Sequence, residues 1–347
     1  MLTTIEFEIL KTLTELDGIA SYEDEIRDYL KSAYQKMGYQ LVHDNLGSIF
    51  AYKPSKTPNS PVVLIDGHMD EVGFLLNRFN DDGSVGVVPV GGMSLEDILE
   101  ATYRVKTKDK REYIGTITNR SEAKEIIDVN IDFGFLNIDE AKEAGLEYGD
   151  MITFVSPFKD LANGLYACKA IDNRYSLALG IEILEYFKDK ELPFDLYVGG
   201  SVQEEVGLRS ASAVVNLIKP DFAIVLDCSR AVADPKKLGH VDEGVLLRFF
   251  DPSMVAFKEL IELQKEACIK SGARYQYFST TGGTNAGMIH KSGTGVLTLN
   301  HCICARNIHT PVSIFSGEDY HDAKKSLIYL LEHFNQEVLI ELGNKRR

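Results

Sequence analysis

Apolar residues recur at three- and four-residue spacing in "IEFEILKTLTEL" and "EDEIRDYLKSAYQKMG", which predicts two helices within residues 4–37. Ser21 or Tyr22 in "DGIASYEDE" marks the boundary between them, with acidic residues in the first turn that follows. The period then shortens: "YQLVHDN", "GSIFAYK" and the apolar run "PVVLID" read as strands. Residues 74–158 have a different texture. "GFLLNRF", "GSVGVVPV", "TYRVKTK", "REYIGTIT", "IIDVNID" and "MITFVS" are short β segments separated by turn residues such as "NDDG", with one helical interruption, "NIDEAKEAGLEYGD". From residue 159 helices and strands alternate again. "IDNRYSLALGIEILEYFKD", "SASAVVNLI", "SMVAFKELIELQKEACIKSG" and a single terminal "YHDAKKSLIYLLEHFNQEVLIEL" read as helices; "FDLYVGGSV", "FAIVLD" and "GTGVLTLN" read as strands. Apolar strands between helices predict an α/β fold: an α/β/α sandwich formed by residues 1–73 and 159–347, carrying a small β-barrel-like domain, 74–158, inserted into it.

Composition narrows the function classes. The 347 residues carry a net charge of −15 with 44% hydrophobic and 26% charged residues. That acidic balance argues against nucleic acid and anionic membranes as partners, because both need a basic surface. No apolar run reaches the roughly 18 residues of a membrane span. The start "MLTTIEFEILKTL" reads as a helix and lacks a signal peptide's basic n-region. Five scattered cysteines (168, 228, 268, 302, 304) do not make a disulfide framework, so a reducing, cytoplasmic setting is expected. Cys302 and Cys304 alternate within a strand-like "LNHCICARNIH" and read as small buried residues, in preference to a metal clip.

In open α/β sheets, sites gather at the carboxyl ends of the strands. The ionisable residues placed there are His68 and Asp70 after "PVVLID", Asp172 at the start of its helix, Glu204 and Glu205 after "DLYVGGSVQ", Asp227 ending "FAIVLD", and His309 after "LTLNHCICARNI". Each has an ordinary explanation. A loop histidine is usually a hydrogen-bonded surface group, Asp172 is a plausible helix cap, Glu204 and Glu205 are plausible solvated acids, and Asp227 can bind turn amides. Those explanations must hold together for five segments at one topological position, which weakens them jointly. Imidazole and carboxylate without thiolate suit zinc, cobalt or manganese. Two histidines and three carboxylates suffice for two metals if one carboxylate bridges. A further carboxylate is then needed as a base, and adjacent Glu204 and Glu205 can divide those duties because neighbouring side chains diverge.

"GHMDEVGF", "KAIDNR", "QEEVGLRSA", "VLDCS", "GGTNAG" and "ARNIHT" occur here in the order found in the M42 metallo-aminopeptidases. The chain resembles that family over its whole length. "ELPFDLYVGGSVQEEVGLR" and "LGHVDEGVLLRFFDP" are most similar to the glutamyl aminopeptidases of lactic acid bacteria and streptococci. The resemblance implies that His68 and Asp227 bind one metal, Glu205 and His309 the other, and Asp172 bridges them. It implies Glu204 as general base and Asp70 as the residue that orients His68. It further implies two divalent ions, Zn²⁺ or Co²⁺, a dimerisation role for the inserted domain, and a homo-oligomer, a dodecamer built from dimers, that acts on short peptides with a free N-terminus.

The sequence departs from the family pattern at Asn285, where an aspartate is usual, at Ser176 and Ser210, where glycine is usual, and at Asn307 and Thr310, where tyrosine and serine are usual. The changes near Asn285 and His309 bear on the substrate pocket. A pocket that selects Glu or Asp needs a cation for the substrate carboxylate. Arg248 in "LLRFFDP" is the leading candidate, ahead of Lys236 and Lys237, and Asn285 is a further candidate substrate contact. The expected activity is release of an N-terminal residue, preferring Glu or Asp. The competing readings are a broad or neutral-preferring aminopeptidase of the same family, a metal-dependent deacylase or carboxypeptidase-like hydrolase, and a non-catalytic oligomeric binding protein.

Overall fold

The computed structural model describes residues 1–120, 122–234 and 236–346. Four mutually parallel strands form its centre, in the order Asp195–Ser201, Val62–His68, Phe222–Arg230, Leu297–Arg306. Antiparallel strands extend both flanks: Ile49–Lys53 and Gln40–His43 on one side, Ser313–Ser316, Leu165–Cys168 and Lys159–Asp160 on the other. The central strands have an apolar partner on each face. Val63, Ile65 and Ile224 pack into the large core with Leu10, Leu30, Leu184 and Leu327, whereas Leu64, Ala223 and Val225 pack with Val214, Val215 and Ile289. Alternation along a strand sends successive side chains to opposite faces, so an unbroken apolar run is what a sheet buried between two helix layers requires. This is the expected α/β/α arrangement.

Side-chain caps fix several helix ends. Thr3 and Glu6 form a reciprocal capping box at the start of Thr4–Glu15, and Ser316 accepts from the amides of Glu318 and Asp319 to start Gly317–His333. One expectation is corrected. The terminal segment is two helices, Gly317–His333 and Gln336–Asn344, because Asn335 takes an extended conformation and caps the second through the amides of Glu337 and Val338. The strand-like readings of "GTGVLTLN" and "LNHCICARNIH" join in one strand, Leu297–Arg306, which holds Cys302 and Cys304 buried and free, as expected. Among the described residues no helix is long and apolar enough to cross a membrane.

Six strands between Gly73 and Phe154 close into a barrel, in the order Gly73–Phe79, Val85–Val90, Asn130–Asp132, Glu112–Ile117, Thr102–Lys106, Met151–Phe154. Closure leaves no free sheet edge, and the barrel has a core of its own containing Phe74, Val87, Tyr103, Ile131 and Phe154. The barrel is tied to the sandwich by buried charge. Asp17, which is fully buried, accepts from Thr153 and pairs with Arg104 and Lys106 of the barrel at 2.8 and 2.9 Å, and with Lys169 of the sandwich at 2.7 Å.

Two of the departures have packing explanations. Ser210 donates to the Val202 carbonyl at 2.6 Å and accepts from the Val202 amide at 3.0 Å, which pins the turn before Ala211–Ile218. Ser176 fills the space beside Gly67: a Cβ at position 67 would lie 2.1 Å from Ser176 Oγ and 2.6 Å from its Cβ. The two positions are therefore coupled. Gly67→Ala is expected to cost about 1–3 kcal/mol by overpacking, and most of that loss is expected to disappear when Ser176→Gly is added. Urea unfolding of the two single variants and the double variant measures the coupling; additive losses would exclude it.

Candidate active site

Strand register brings the site together. Ser201 lies opposite His68 in the parallel ladder, so the turn carrying Glu204 and Glu205 leaves the sheet beside His68. Asp172 enters from the start of Ile171–Phe187, behind Ala170 in the left-handed region at φ +52°. Two residues anchor that turn against the strand of Asp227: Asn173 donates to the Leu226 carbonyl at 2.8 Å, and the Tyr175 hydroxyl to the Asp227 carbonyl at 2.9 Å. Asp227 does not end its strand, which continues to Arg230.

The two imidazoles converge on one carboxylate. His68 Nε2 lies 3.2 Å from Asp172 Oδ1, and His309 Nε2 lies 3.4 Å from Asp172 Oδ2 and 3.3 Å from Glu205 Oε2. Glu204 Oε2 is 4.0 Å from His68 Nε2. Each ring is set from behind by a main-chain carbonyl. His68 Nδ1 lies 3.0 Å from the Asp70 carbonyl oxygen, and His309 Nδ1 lies 2.7 Å from the Gly92 carbonyl oxygen. With the proton on Nδ1 donated to those carbonyls, both Nε2 lone pairs face the carboxylates, the tautomer a metal ligand needs. The Asp70 side chain is 3.5 Å from His68 Nδ1, and its two oxygens accept the Glu204 and Glu205 amides at 3.0 Å each. Asp70 therefore links the His68 turn to the Glu204–Glu205 turn.

Electrostatics mark the same residues. Burial pushes the Asp227 pKa up to about 8, and the Asp172 charge adds to the rise. Burial also raises Glu204 well above the carboxylate range, reinforced by Asp227, Glu205 and Asp70. For His309 burial works the other way, but Glu205 and Asp172 hold the ring up to about 11. Crowded carboxylates that raise one another are a common signature of a functional site. Ligand atoms of His68, Asp172 and Glu205 lie within 4.8 Å of one another, as do those of His68, Glu204 and Asp227. All are nitrogen or oxygen donors from imidazole and carboxylate, a set that fits a divalent transition metal.

These residues line a cavity of about 520 Å³ whose wall also includes Leu208, Ser229, Arg230, Arg248, Thr280 and Ile308. The expected pocket residues need correction. Asn285 is 1% exposed and is not among the cavity-lining residues; it donates to Asp66 and Ser201 at 2.9 and 2.8 Å. Lys236 and Lys237 are exposed and also lie outside the cavity wall. Arg248 does line the cavity, but it is buried and already engaged: Nε pairs with Asp251 at 2.8 Å, Nη1 donates to Ser229 at 3.1 Å, and Nη2 donates to the Gly282 carbonyl.

Sequence reasoning missed two contributors. Arg230 lies on the cavity wall, exposed, with one hydrogen bond among the described residues, Nη2 to the Ile308 carbonyl at 3.1 Å. Its position three residues past Asp227 on the same strand was the available signal. Gly92 comes from the inserted segment and orients His309; no local pattern announces a backbone carbonyl reaching 217 residues along the chain.

A family model described as M42 glutamyl aminopeptidase matches residues 47–325. A glutamyl aminopeptidase of Lactococcus lactis subsp. cremoris is 34% identical, over 97% of this chain and 99% of that protein. The crystal structure of a TET aminopeptidase from the marine sediment archaeon Thaumarchaeota archaeon SCGC AB-539-E09 superposes with a TM-score of 0.92 at 29% identity, covering 97% of this chain and 98% of the other. The Pyrococcus horikoshii TET1 peptidase, which can assemble into a tetrahedron or a large octahedral shell, shares the fold with a TM-score of 0.84 at 24% identity, covering 95% and 100%.

Metal binding at such a site deprotonates its ligands, so affinity falls as pH is lowered and protons are released on binding. Adding Zn²⁺ or Co²⁺ to chelated protein near pH 7 is expected to raise Tm and to acidify a weakly buffered solution. His309→Ala is expected to reduce both responses. Calorimetry in two buffers of different ionisation enthalpy measures the proton release; no Tm shift at saturating metal would exclude the site.

Proposed function

Because the chain belongs to the M42 family of glutamyl aminopeptidases, we propose that it is a two-metal aminopeptidase that removes N-terminal Glu or Asp from short peptides. The observation carrying this reading is that His68 and His309 present Nε2 to opposite oxygens of Asp172, with Glu204 beside them. In it, His68 and Asp227 hold one cation, Glu205 and His309 hold the second, and Asp172 bridges. Two divalent cations there, Zn²⁺ or Co²⁺, supply Lewis acidity and bring the pKa of water toward neutrality. Glu204 takes the proton of the attacking water and delivers it to the leaving amine as the peptide C–N bond breaks. Asp70 holds the Glu204 and Glu205 amides, so the base and its neighbouring ligand keep a fixed spacing.

Acid preference needs a cation whose charge is not already paired within the protein. Arg248 has each of its guanidinium nitrogens engaged, so it braces Asp251 and the Gly282 loop. Arg230 is the other cation of the cavity wall, and it meets the substrate's side-chain carboxylate in this reading. Residues 1–73 and 159–347 form the catalytic unit, and 74–158 the dimerisation unit of a homo-oligomer, a dodecamer built from dimers. The large assemblies of the related TET1 peptidase support this part. Sedimentation velocity reads the assembly directly, and a monomeric mass removes it.

Initial rates on Glu-, Asp-, Leu- and Lys-p-nitroanilide, with metal restored after chelation, are expected to be highest for Glu and Asp. A Leu preference would keep the chemistry and discard the specificity. Glu204→Gln is expected to retain metal and lose at least about 10²-fold in kcat; near-normal turnover in the metal-loaded variant would remove Glu204 as base. Arg230→Gln is expected to lower kcat/KM for the Glu substrate about tenfold relative to Leu, the equivalent of one charge-assisted hydrogen bond. Equal losses on both substrates would refute that role.

A further inference from the structure

The turn that carries Glu204 is held by three successive amides, and only two of them are taken by Asp70. The third, Gln203 N–H, donates to Glu23 Oε1 at 3.1 Å, immediately before the Glu204 and Glu205 amides donate to Asp70. Gln203 sits at φ +59°, a left-handed conformation that costs a residue with a side chain roughly 1–2 kcal/mol. Something must hold it there, and Glu23 is the side chain in contact with that amide.

Glu23 is a costly residue to place there. It is 4% exposed, and among the described residues it forms no salt bridge, the buried Arg174 guanidinium acting on it only at longer range. Burial, with a further contribution from the Asp70 charge, pushes its pKa up to about 7. It stands at the N-cap of Asp24–Lys36, yet its side chain makes no capping hydrogen bond there. A buried carboxyl without a cation in direct contact is costly to the fold, and a merely structural cap would be met by an exposed serine or aspartate at lower cost. Besides the nearby backbone of Ser21 and of Glu23 itself, what its carboxylate holds is the Gln203 amide, 180 residues along the chain.

We propose that Glu23 is a positioning residue for the general base: by fixing Gln203 it aims the Glu204 carboxylate, while Asp70 fixes the following two amides. The inference rests on the reading of Glu204 as base. Its content is geometric: what matters is an acceptor oxygen at the reach of a five-atom side chain, not the negative charge. Glu23→Gln keeps that reach and an acceptor oxygen. Glu23→Asp keeps the charge and loses the reach.

The test is steady-state kinetics on Glu-p-nitroanilide with the full-length, metal-loaded protein, with bound metal measured for each variant. Glu23→Ala and Glu23→Asp are expected to lower kcat on the order of 10- to 100-fold, the scale of a misplacement of about 1 Å, with KM within about twofold and metal content unchanged. Glu23→Gln is expected to restore most of kcat. If Glu23→Ala does not fold, the comparison of Gln with Asp still decides. An active Asp variant with an inactive Gln variant would show that the charge matters and would overturn the proposal, as would unchanged kcat in Glu23→Ala or a loss carried by KM alone. Glu204→Gln measured in parallel separates the two readings. If it turns over normally, the base assignment fails and this proposal falls with it; if it is inactive while the Glu23 variants are normal, only this proposal fails.

Discussion

Everything at the sheet edge is arranged around an electrostatic conflict. Asp172, Glu204, Glu205 and Asp227 line one cavity with two imidazoles between them. Like charges this close, and largely out of water, resist being brought together. The protein does not relieve the conflict with lysines inserted among the four. It holds the backbone instead: Asp70 and Glu23 grip the 203–205 amides, Asn173 and Tyr175 grip the carbonyls around Asp227, and two carbonyls orient the imidazoles. The negative charge is left for something else to neutralise. Divalent cation binding would do so directly, and the imidazole and carboxylate donor set fits a metal site better than an ordinary ion-pair network.

The inserted barrel is part of this arrangement. Lys169, three residues before Asp172, is buried against Asp17 at 2.7 Å and Glu71 at 2.7 Å, and Glu71 follows Asp70 directly. Arg174, fully buried, donates to the Met69 carbonyl at 2.9 Å, between His68 and Asp70, and also to Glu71. Asp17 passes the connection to Arg104, Lys106 and Thr153 of the barrel. Removing one member of such a buried network costs about 3–5 kcal/mol, because its partner is left uncompensated. The network's value lies in geometry: it fixes the turns of His68 and Asp172 relative to each other and to the barrel, whose Gly92 carbonyl then reaches His309.

How much of this was legible in the sequence depended on how local each cause is. Strand ends and apolar runs are local, so the α/β/α sandwich, the β-rich insertion and the gathering of His68, Asp172, Glu204, Glu205, Asp227 and His309 at one edge followed from pattern. The break at Asn335 was missed because an uninterrupted amphipathic pattern hid a cap. Asn285 was placed in the pocket by motif, but its surroundings are set by Asp66, a tertiary partner 219 residues away; Arg248 does line the cavity, but its pairing with Asp251, three residues on in the same segment, was not read from the sequence. Gly92 and Glu23 act through main-chain groups in distant segments, where sequence offers no signature.

The two cavity arginines show why such partners matter for selectivity. Asp251 meets Arg248 through one oxygen and takes the Ser253 and Met254 amides with the other, so that pair carries no net charge. An arginine in that state stiffens a wall without attracting a substrate. The four site carboxylates would in turn be balanced by two divalent cations. What remains uncompensated on the wall is the Arg230 guanidinium. In a chain with a net charge of −15, which repels anions at long range, that local excess has to act within a few ångströms. Screening limits exposed charges to about 8–10 Å at physiological salt, so the overall acidity of the protein does not prevent a cavity with one unspent arginine from holding an acidic side chain.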